Sequence, residues 1–578
     1  MRNSLLQLVC LAKHLQNQIR VGPLLPKPVS PLLWRTIHGH RPKYGQTVGF
    51  TLKTHTCGEL TAHNVGETVT LRGFLQYQRM GKFAVLRDSA GQTQIILREE
   101  NTEMSKLLNQ TPFESYVEVK GVVQQRPEDQ YNKNMLTGEI EILAHRYEVL
   151  SKVQRDLPFI IRSYNKPKEN LRLQYRYLDL RHEELQRNLK LRSMVGKKMR
   201  DYLQDVEDFV EITTPTLSVN TPGGAQEFVV PSRHPGKFYS LVQSPQTYKQ
   251  LAMIGGFERY FQFAICYRDE GGKPDRQPEF MQLEDVSDEI RHCGAAILEK
   301  AMCAEGSSAH AFLIPDGQAA VTKKIISSWE SLAKREFNLN GPSVMYVKDN
   351  YELQGNLAKF INLTTQRNLI EGLSGQKGDI LVMAAGPTNS ALSLLGKLRL
   401  LAADIMEAAG KQVRSNGSFN FLWVVDFPLF EFDDKLGKIV SLHHPFTLPK
   451  EGDAHLLYTD PLQAKSQHYD LVLNGSEIGG GSIRVHDPVM QRHIVEDILK
   501  LDAQSLKFFN EALASGTPPH GGIALGFDRL MEKICGGKSI RDVIAFPKSM
   551  EGRCLMSGAP GMITKEEEQL YHISIKHT

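Results

Sequence analysis

Four groups of residues in this chain have the types and spacing for chemistry on an anionic, phosphate-bearing ligand. The first is residues 266–280, CYRDEGGKPDRQPEF, which follow an aromatic and apolar stretch, 260–265, that reads as a buried strand. Arg268 stands at the strand end, where a guanidinium can take carboxylate or phosphate through two parallel hydrogen bonds. Asp269 and Glu270 adjoin it, and Arg276 and Gln277 follow a Gly271-Gly272 turn. Glu270 can accept from an amine or amide; the run reads equally as an ordinary charged hairpin. The second group is residues 469–484, a strand, an Asn474-Gly475 turn and a returning strand. Asp470 and Glu477 are oxygen donors suited to Mg2+, which prefers a few carboxylates together with phosphate oxygens. Gly479, Gly480 and Gly481 let backbone approach a ligand, and Arg484 then offers a fork for a carboxylate. In the third group Gln246 and Lys249 lie three apart at a helix start, so both can face one pocket. A lysine there is otherwise surface. The fourth is His443-His444: paired histidines suit a metal, but no second cluster has ligand spacing, so a polar ligand contact fits better.

The elements that must carry these groups are bounded by bulk properties. A chain of 578 residues holds two to four domains with sizeable cores. The 41% hydrophobic and 23% charged content is that of a globular protein, and no apolar run reaches membrane-spanning length. Seven cysteines without a Cys-x-x-Cys pair argue for reduced thiols and against disulfides or a zinc site. Charge is uneven: eight of the 69 basic residues precede Glu59, the first acid. An acid-free leader, residues 1–47, with Arg2, Lys13, Arg20 and Arg35 among Leu, Ser and His, fits a mitochondrial presequence and, alternatively, a basic arm that touches RNA.

Residues 55–150 read as about five short strands with turn punctuation, which suits a small Greek-key barrel. A polar, proline-containing link spans 151–180. Leu185, Leu189, Val195, Met199, Leu203 and Val206 recur at helical steps, and residues 209–217 read as a strand broken by Pro215. Residues 286–415 read as a small α+β module with a buried strand at 380–384.

In this order the motifs resemble the bacterial-type aspartyl-tRNA synthetases of class IIb. Residues 266–280 resemble motif 2; 185–217 resemble motif 1; Gln243-Ser244-Pro245-Gln246 matches a family element; and 518–530, PPHGGIALGFDRL, resembles motif 3. The resemblance covers nearly everything from Cys57 onward. It implies an α+β fold: an N-terminal OB-fold barrel, then an antiparallel-sheet catalytic domain (181–285 and 416–578) interrupted by an inserted α+β domain (286–415). It implies ATP-dependent activation of L-aspartate and transfer to tRNA(Asp), with Mg2+ as cofactor, a homodimer built on motif 1, and the mitochondrial matrix as location. Carried over by position, Arg268, Glu477 and Arg529 become catalytic. Gln246, Lys249, Arg268, His443 and Arg484 contact aspartate. Arg268, Asp269, Glu270, Gln277, Glu477, Gly526, Phe527, Asp528 and Arg529 contact ATP; Asp470 and Glu477 hold the metal; Phe83 and Gln94 contact the anticodon. Phe83 and Gln94 serve as well as core or surface filler. Arg484 and Lys249 favour an aspartate side chain, whereas lysine would need acids there. The chain departs from the family in two places. Gly223 stands where the closing loop often has Glu. After Gln282 the run Leu283–Asp288 replaces the expected return strand of motif 2, with Val286 where Glu is expected, as though several dozen residues were lost. That departure leaves a second expectation: a catalytically impaired form that retains tRNA or dimer binding.

Overall fold

The computed structural model describes residues 53–98, 100–154, 156–162, 166–220, 226–268, 307–413, 419–502, 506–537 and 539–576. The expectations for the leader, for Gly223, for Asp269, Glu270 and Gln277, and for segment 283–288 lie outside the described residues. The chain divides into two compact units: residues 1–277, 422–471 and 478–578, and residues 278–421 with the hairpin tip 472–477.

The first unit opens with a closed five-stranded barrel. Its strands are β1 (Thr68–Arg79), β2 (Phe83–Asp88), β3 (Gly91–Leu97), β4 (Tyr116–Gln125) and β5 (Ile140–Ser151), in spatial order β1-β2-β3-β5-β4. The β3–β5 pair is parallel and the others are antiparallel. Alternation selects the inward face: Val69, Leu71, Leu75, Leu86, Ile95, Val117 and Ile142 are buried, and polar residues point outward between them. Closure leaves no unpaired strand edge. Just before β4, Glu114 is buried in a left-handed conformation (φ +67°). Its carboxylate accepts from Arg87 at 2.7 Å and from Arg181 at 3.1 Å, so one acid joins the barrel to the link that follows it. Arg181 also lies over the Phe74 ring at 3.9 Å.

The helix Glu183–Asp201 buries Leu185, Val195 and Met199 as its spacing predicts. Its register shifts at a widened turn, Tyr202–Val206, which leaves Val206 exposed. Asn188 is buried on this helix and donates to the Asp542 carbonyl at 3.1 Å. Arg176, just upstream, is almost fully buried. It bonds Asp179 at 2.5 Å and donates to the carbonyls of Arg541, Ile544 and Ala545 at 2.7–2.8 Å.

A further sheet has four strands, Phe421–Val425, His468–Leu473, Ser476–Ile483 and Gly521–Leu525, in that order. Gly521–Leu525 stands at one edge among the described residues, with Gly521, Gly522 and Ala524 exposed. The stretch expected as one strand at 209–217 forms two short ones, Val210–Glu211 and Leu217–Ser218, interrupted around Pro215. Of the expected strand 260–265 only Tyr260–Phe261 is in a ladder, parallel to Val210–Glu211.

The second unit is a four-stranded antiparallel sheet in the order Ser307–Ile314, Ile380–Pro387, Ser343–Val347, Leu353–Gln354. Ile380, Leu381, Val382, Met383 and Ala384 are all buried because apolar side chains cover both faces. Leu369 and Ile370 pack with Leu381 and Met383, while Trp329, Leu394 and Leu398 pack with Ile380 and Val382. A continuous apolar run is what a two-sided strand requires.

Candidate active site

The helix Gln246–Ile254 begins after Pro245 and points Gln246 and Gln250, one turn apart, into the first unit, where both are buried. Opposite them, the end of the glycine-rich strand supplies Arg484. Its Nη2 donates to Gln246 Oε1 at 3.0 Å, and Gln246 Nε2 donates to Gln250 Oε1 at 3.1 Å. Gln250 Nε2 bonds His520 Nε2 at 2.9 Å, and His520 Nδ1 bonds the Pro518 carbonyl at 2.9 Å. The Arg484 backbone N–H donates to the His520 carbonyl at 2.9 Å, which locks the two segments together.

Arg484 Nη1 is buried without a hydrogen-bond partner. A buried, unsatisfied charged donor costs several kcal/mol, on the order of 1–3 or more, so the site is built for an acceptor brought from outside. Burial lowers the Arg484 pKa to about 10. It lowers that of Lys249 to about 8, with the Arg484 charge adding to the effect. His444 is pushed well below its ordinary value, first by burial and then by the Arg484 and Lys249 charges. Its Nδ1 accepts the Phe446 N–H at 3.2 Å. Two cations and a neutral imidazole thus share one buried region, and a carboxylate there would relieve their mutual repulsion.

A second cluster lies on the neighbouring strand. His468 Nε2 and Asp470 Oδ1 are 2.9 Å apart, and the rings of His443 and His468 stack at 3.7 Å. His443, lowered to about 4 by burial and by His468, is neutral at physiological pH. Ligand atoms of His443, His468 and Asp470 lie within 4.8 Å of one another. Glu477, half-buried on the returning strand, is outside that group. Gly480 is required here because a Cβ would run into Asp470 Oδ1.

At the third position, Gly526 precedes the helix Phe527–Cys535 and its N–H donates to the Ile478 carbonyl at 2.7 Å. Arg529 is half-buried in the first turn of that helix. Asp528 pairs with Arg192 at 2.5 Å. Phe527 packs edge-on against Phe263 at 5.3 Å and beneath Arg192 at 4.7 Å. Arg268 is exposed at the last residue before the undescribed segment. On the barrel, Phe83 and Gln94 are half-buried and outward-facing on paired strands; Gln94 Nε2 donates to Glu141 Oε2 at 2.7 Å.

The structure therefore brings Gln246, Lys249 and Arg484 together, and places His443 beside Asp470 rather than beside Arg484. Sequence reasoning gave no role to Gln250, His468 or His520, and of the His443-His444 pair it assigned only His443. The four-residue spacing of Gln246 and Gln250 was a visible signal, while the two strand-end histidines become visible only through the sheet pairing.

Residues 168–550 match the family described as tRNA synthetases class II (D, K and N). Over 589 aligned positions the chain is 44% identical to the mitochondrial aspartate–tRNA ligase of Homo sapiens, covering 91% of each chain. It is 36% identical over 594 positions to the aspartate–tRNA(Asp/Asn) ligase of Opitutus terrae, covering 90% of this chain and 99% of the relative. Among solved structures, a putative aspartyl-tRNA synthetase from Leishmania major Friedlin has a TM-score of 0.54 at 21% identity, covering 88% of this chain and 96% of the other. The last likeness is one of fold. The 589 aligned positions exceed the chain's own 578 residues, so the human relative carries residues that have no counterpart here. Among the described residues, no helix is long and apolar enough to cross a membrane.

Proposed function

The chain belongs to the class II tRNA synthetases (D, K and N), and on that premise we propose that it is an aspartate–tRNA ligase acting in mitochondria, in the matrix. The observation that carries the substrate is the half-buried pair of cations, Lys249 and Arg484, with the buried Arg484 Nη1 unsatisfied. An aspartate side-chain carboxylate satisfies both; asparagine would leave buried charge uncompensated, at roughly 1–3 kcal/mol or more. Lysine would add a third cation.

In the first step an α-carboxylate oxygen of aspartate attacks the α-phosphorus of ATP, and the bond to the bridging oxygen breaks to release pyrophosphate. In the second, the terminal ribose hydroxyl of tRNA(Asp) attacks the acyl carbon and AMP leaves. No side-chain nucleophile is required, so positioning and charge carry the rate. Gln246, Lys249 and Arg484 orient the amino acid. Arg268 and Arg529 offset phosphate charge, and Arg529 lies against the adenine with the turn Gly526–Asp528 beneath the nucleotide. Asp269, Glu270 and Gln277 complete the nucleotide side, and His443 faces the substrate as a neutral polar group. Mg2+ would be held by Asp470 and Glu477; the buried Asp470 carboxylate fits such an ion, which supplies neutralisation of phosphate charge when bound.

The strand order β1-β2-β3-β5-β4 supports reading residues 55–150 as an OB-fold that holds the anticodon, with Phe83 stacking and Gln94 reading a base edge. Residues 151–180 then form the linker, 181–285 and 416–578 the catalytic domain, and 286–415 the insertion; the protein works as a homodimer. ATP–pyrophosphate exchange on the full chain with aspartate, asparagine or lysine tests the reading. Exchange dependent on aspartate supports it, and exchange driven by another of the three would replace it. A second reading, a catalytically impaired form that keeps tRNA or dimer binding, is favoured by the shortfall against the human relative.

A further inference from the structure

The contacts around Arg484 fix proton positions as well as atoms. A guanidinium only donates hydrogen bonds and a peptide carbonyl only accepts them. Arg484 and the Pro518 carbonyl are the two ends of a chain of four bonds whose middle members, Gln246, Gln250 and His520, can each do both. Between a donor-only end and an acceptor-only end there is one arrangement. Gln246 turns its oxygen to Arg484 and its amide nitrogen to Gln250. Gln250 turns its oxygen to Gln246 and its nitrogen to His520. His520 must then accept on Nε2 and donate from Nδ1. This outcome follows from the ends alone, however the amide nitrogens and oxygens are told apart.

We propose that His520 is a positioning and specificity residue for the amino-acid substrate: through Gln250 and Gln246 it holds Arg484 with Nη2 capped, so that the partnerless Nη1 meets the side-chain carboxylate of aspartate. The proposal rests on the aspartate reading of this site. His520 touches no substrate itself. Its leverage lies in the direction of the chain. A proton on Nε2 would turn two donors toward each other, and Gln250 and then Gln246 would have to rotate, presenting an amide nitrogen to the guanidinium. A change at His520 is therefore felt three side chains away as a loss of the only bond that aims Arg484 among the described contacts.

The groups facing His520 hold it neutral. Burial lowers its pKa, the Pro518 carbonyl opposes this, and Arg484 and His486 from the glycine-rich strand's end lower it again. From the helix side it meets the uncharged Gln250. Around Arg484 the other titrating groups are Lys249, which changes charge near pH 8, His444, which is lowered further than His520, and Tyr469, which burial raises. Loss of aspartate affinity on acidification then reports His520, and loss on alkalinisation reports Lys249.

The test measures aspartate and ATP affinity of the full chain by titration calorimetry from pH 5 to 9, together with histidine tautomers by nitrogen-15 NMR. His520→Leu should weaken aspartate about tenfold while leaving ATP unchanged. Gln250→Leu should do the same, and the double variant should be no worse than either alone, because both break one chain. His520→Gln, which keeps an acceptor for Gln250 and does not titrate, should recover most of the lost affinity and remove the acid limb. The histidine signal lost in His520→Gln should be the Nδ1–H tautomer. Additive losses, an unchanged His520→Leu, an acid limb that persists in His520→Gln, or an Nε2–H tautomer each overturn the proposal. A wild-type chain that binds ATP but no aspartate overturns the aspartate reading instead, and the tautomer then still decides whether the proton order is right.

Discussion

Arg484 carries a charge that the fold buries and only half satisfies, so its removal should act on substrate and spare the nucleotide. Arg484→Leu should raise the aspartate KM at least about a hundredfold, equivalent to roughly 3 kcal/mol, with the ATP KM changed less than about threefold. An unchanged aspartate KM in pyrophosphate exchange would remove Arg484 from the pocket. Lys249 gives a pH signature with a definite sign. Its pKa falls from 10.5 to about 8 because burial disfavours the ammonium. Without ligand, the native state sheds its proton first, so stability should rise between about pH 8 and 10.5, where the unfolded chain still holds one. Aspartate needs the ammonium, so its affinity should fall above about pH 8, approaching tenfold per unit. Lys249→Met should flatten that alkaline limb and stabilise the unliganded protein at pH 7 by about 1–3 kcal/mol in urea melts. A variant less stable than the parent would contradict the assignment. Arg484 and Lys249 were singled out in the sequence through the resemblance of their motifs, since residue type alone leaves a lysine at the surface. His520 was illegible because its meaning comes from Gln250, 270 residues away, reached only through the fold.

At the level of elements, the barrel was readable because one face of β1 and of β4 is buried and the alternation along them is strict. The short strands that follow it were not. Val210–Glu211 is exposed on both residues, and Gly521–Leu525 is mostly exposed, so neither carries an alternating pattern. The helix before them misled in its last turn, where widening at Tyr202–Val206 breaks the 3.6-residue period that the apolar positions seemed to follow. Among the described residues Gly521–Leu525 has a ladder on one side, and three of its five residues are exposed. On the second reading the chain should bind tRNA through its barrel while exchanging pyrophosphate at least about a hundredfold more slowly than the human relative. Amides of residues 521–525 should exchange with deuterium far faster than those of the barrel strands. Robust aspartate-dependent exchange would show that the edge strand is tolerated.

Across the whole molecule, single buried charges join distant parts of the first unit. Glu114 holds Arg87 of the barrel and Arg181 beyond the link, and Arg87 has almost no access to water. Glu114→Gln should cost about 3–5 kcal/mol by stranding that guanidinium, read as a lower urea midpoint, whereas Arg181→Met should cost less because Arg181 is partly solvated. Equal losses would show that the link, and not the barrel, depends on the carboxylate. Arg176 makes the longest of these connections, to carbonyls 365–369 residues further along. On a ribosome adding roughly 5–20 residues per second, those acceptors emerge about 20–70 s after the guanidinium that needs them. The barrel can close early in that interval, but Arg176 has only Asp179 to meet until the far end of the chain arrives. A messenger that stops short of Arg541 would thus release a polypeptide with a finished barrel and an Arg176 without its carbonyl partners, and a nascent chain stays unfastened there until residues 541–545 are made.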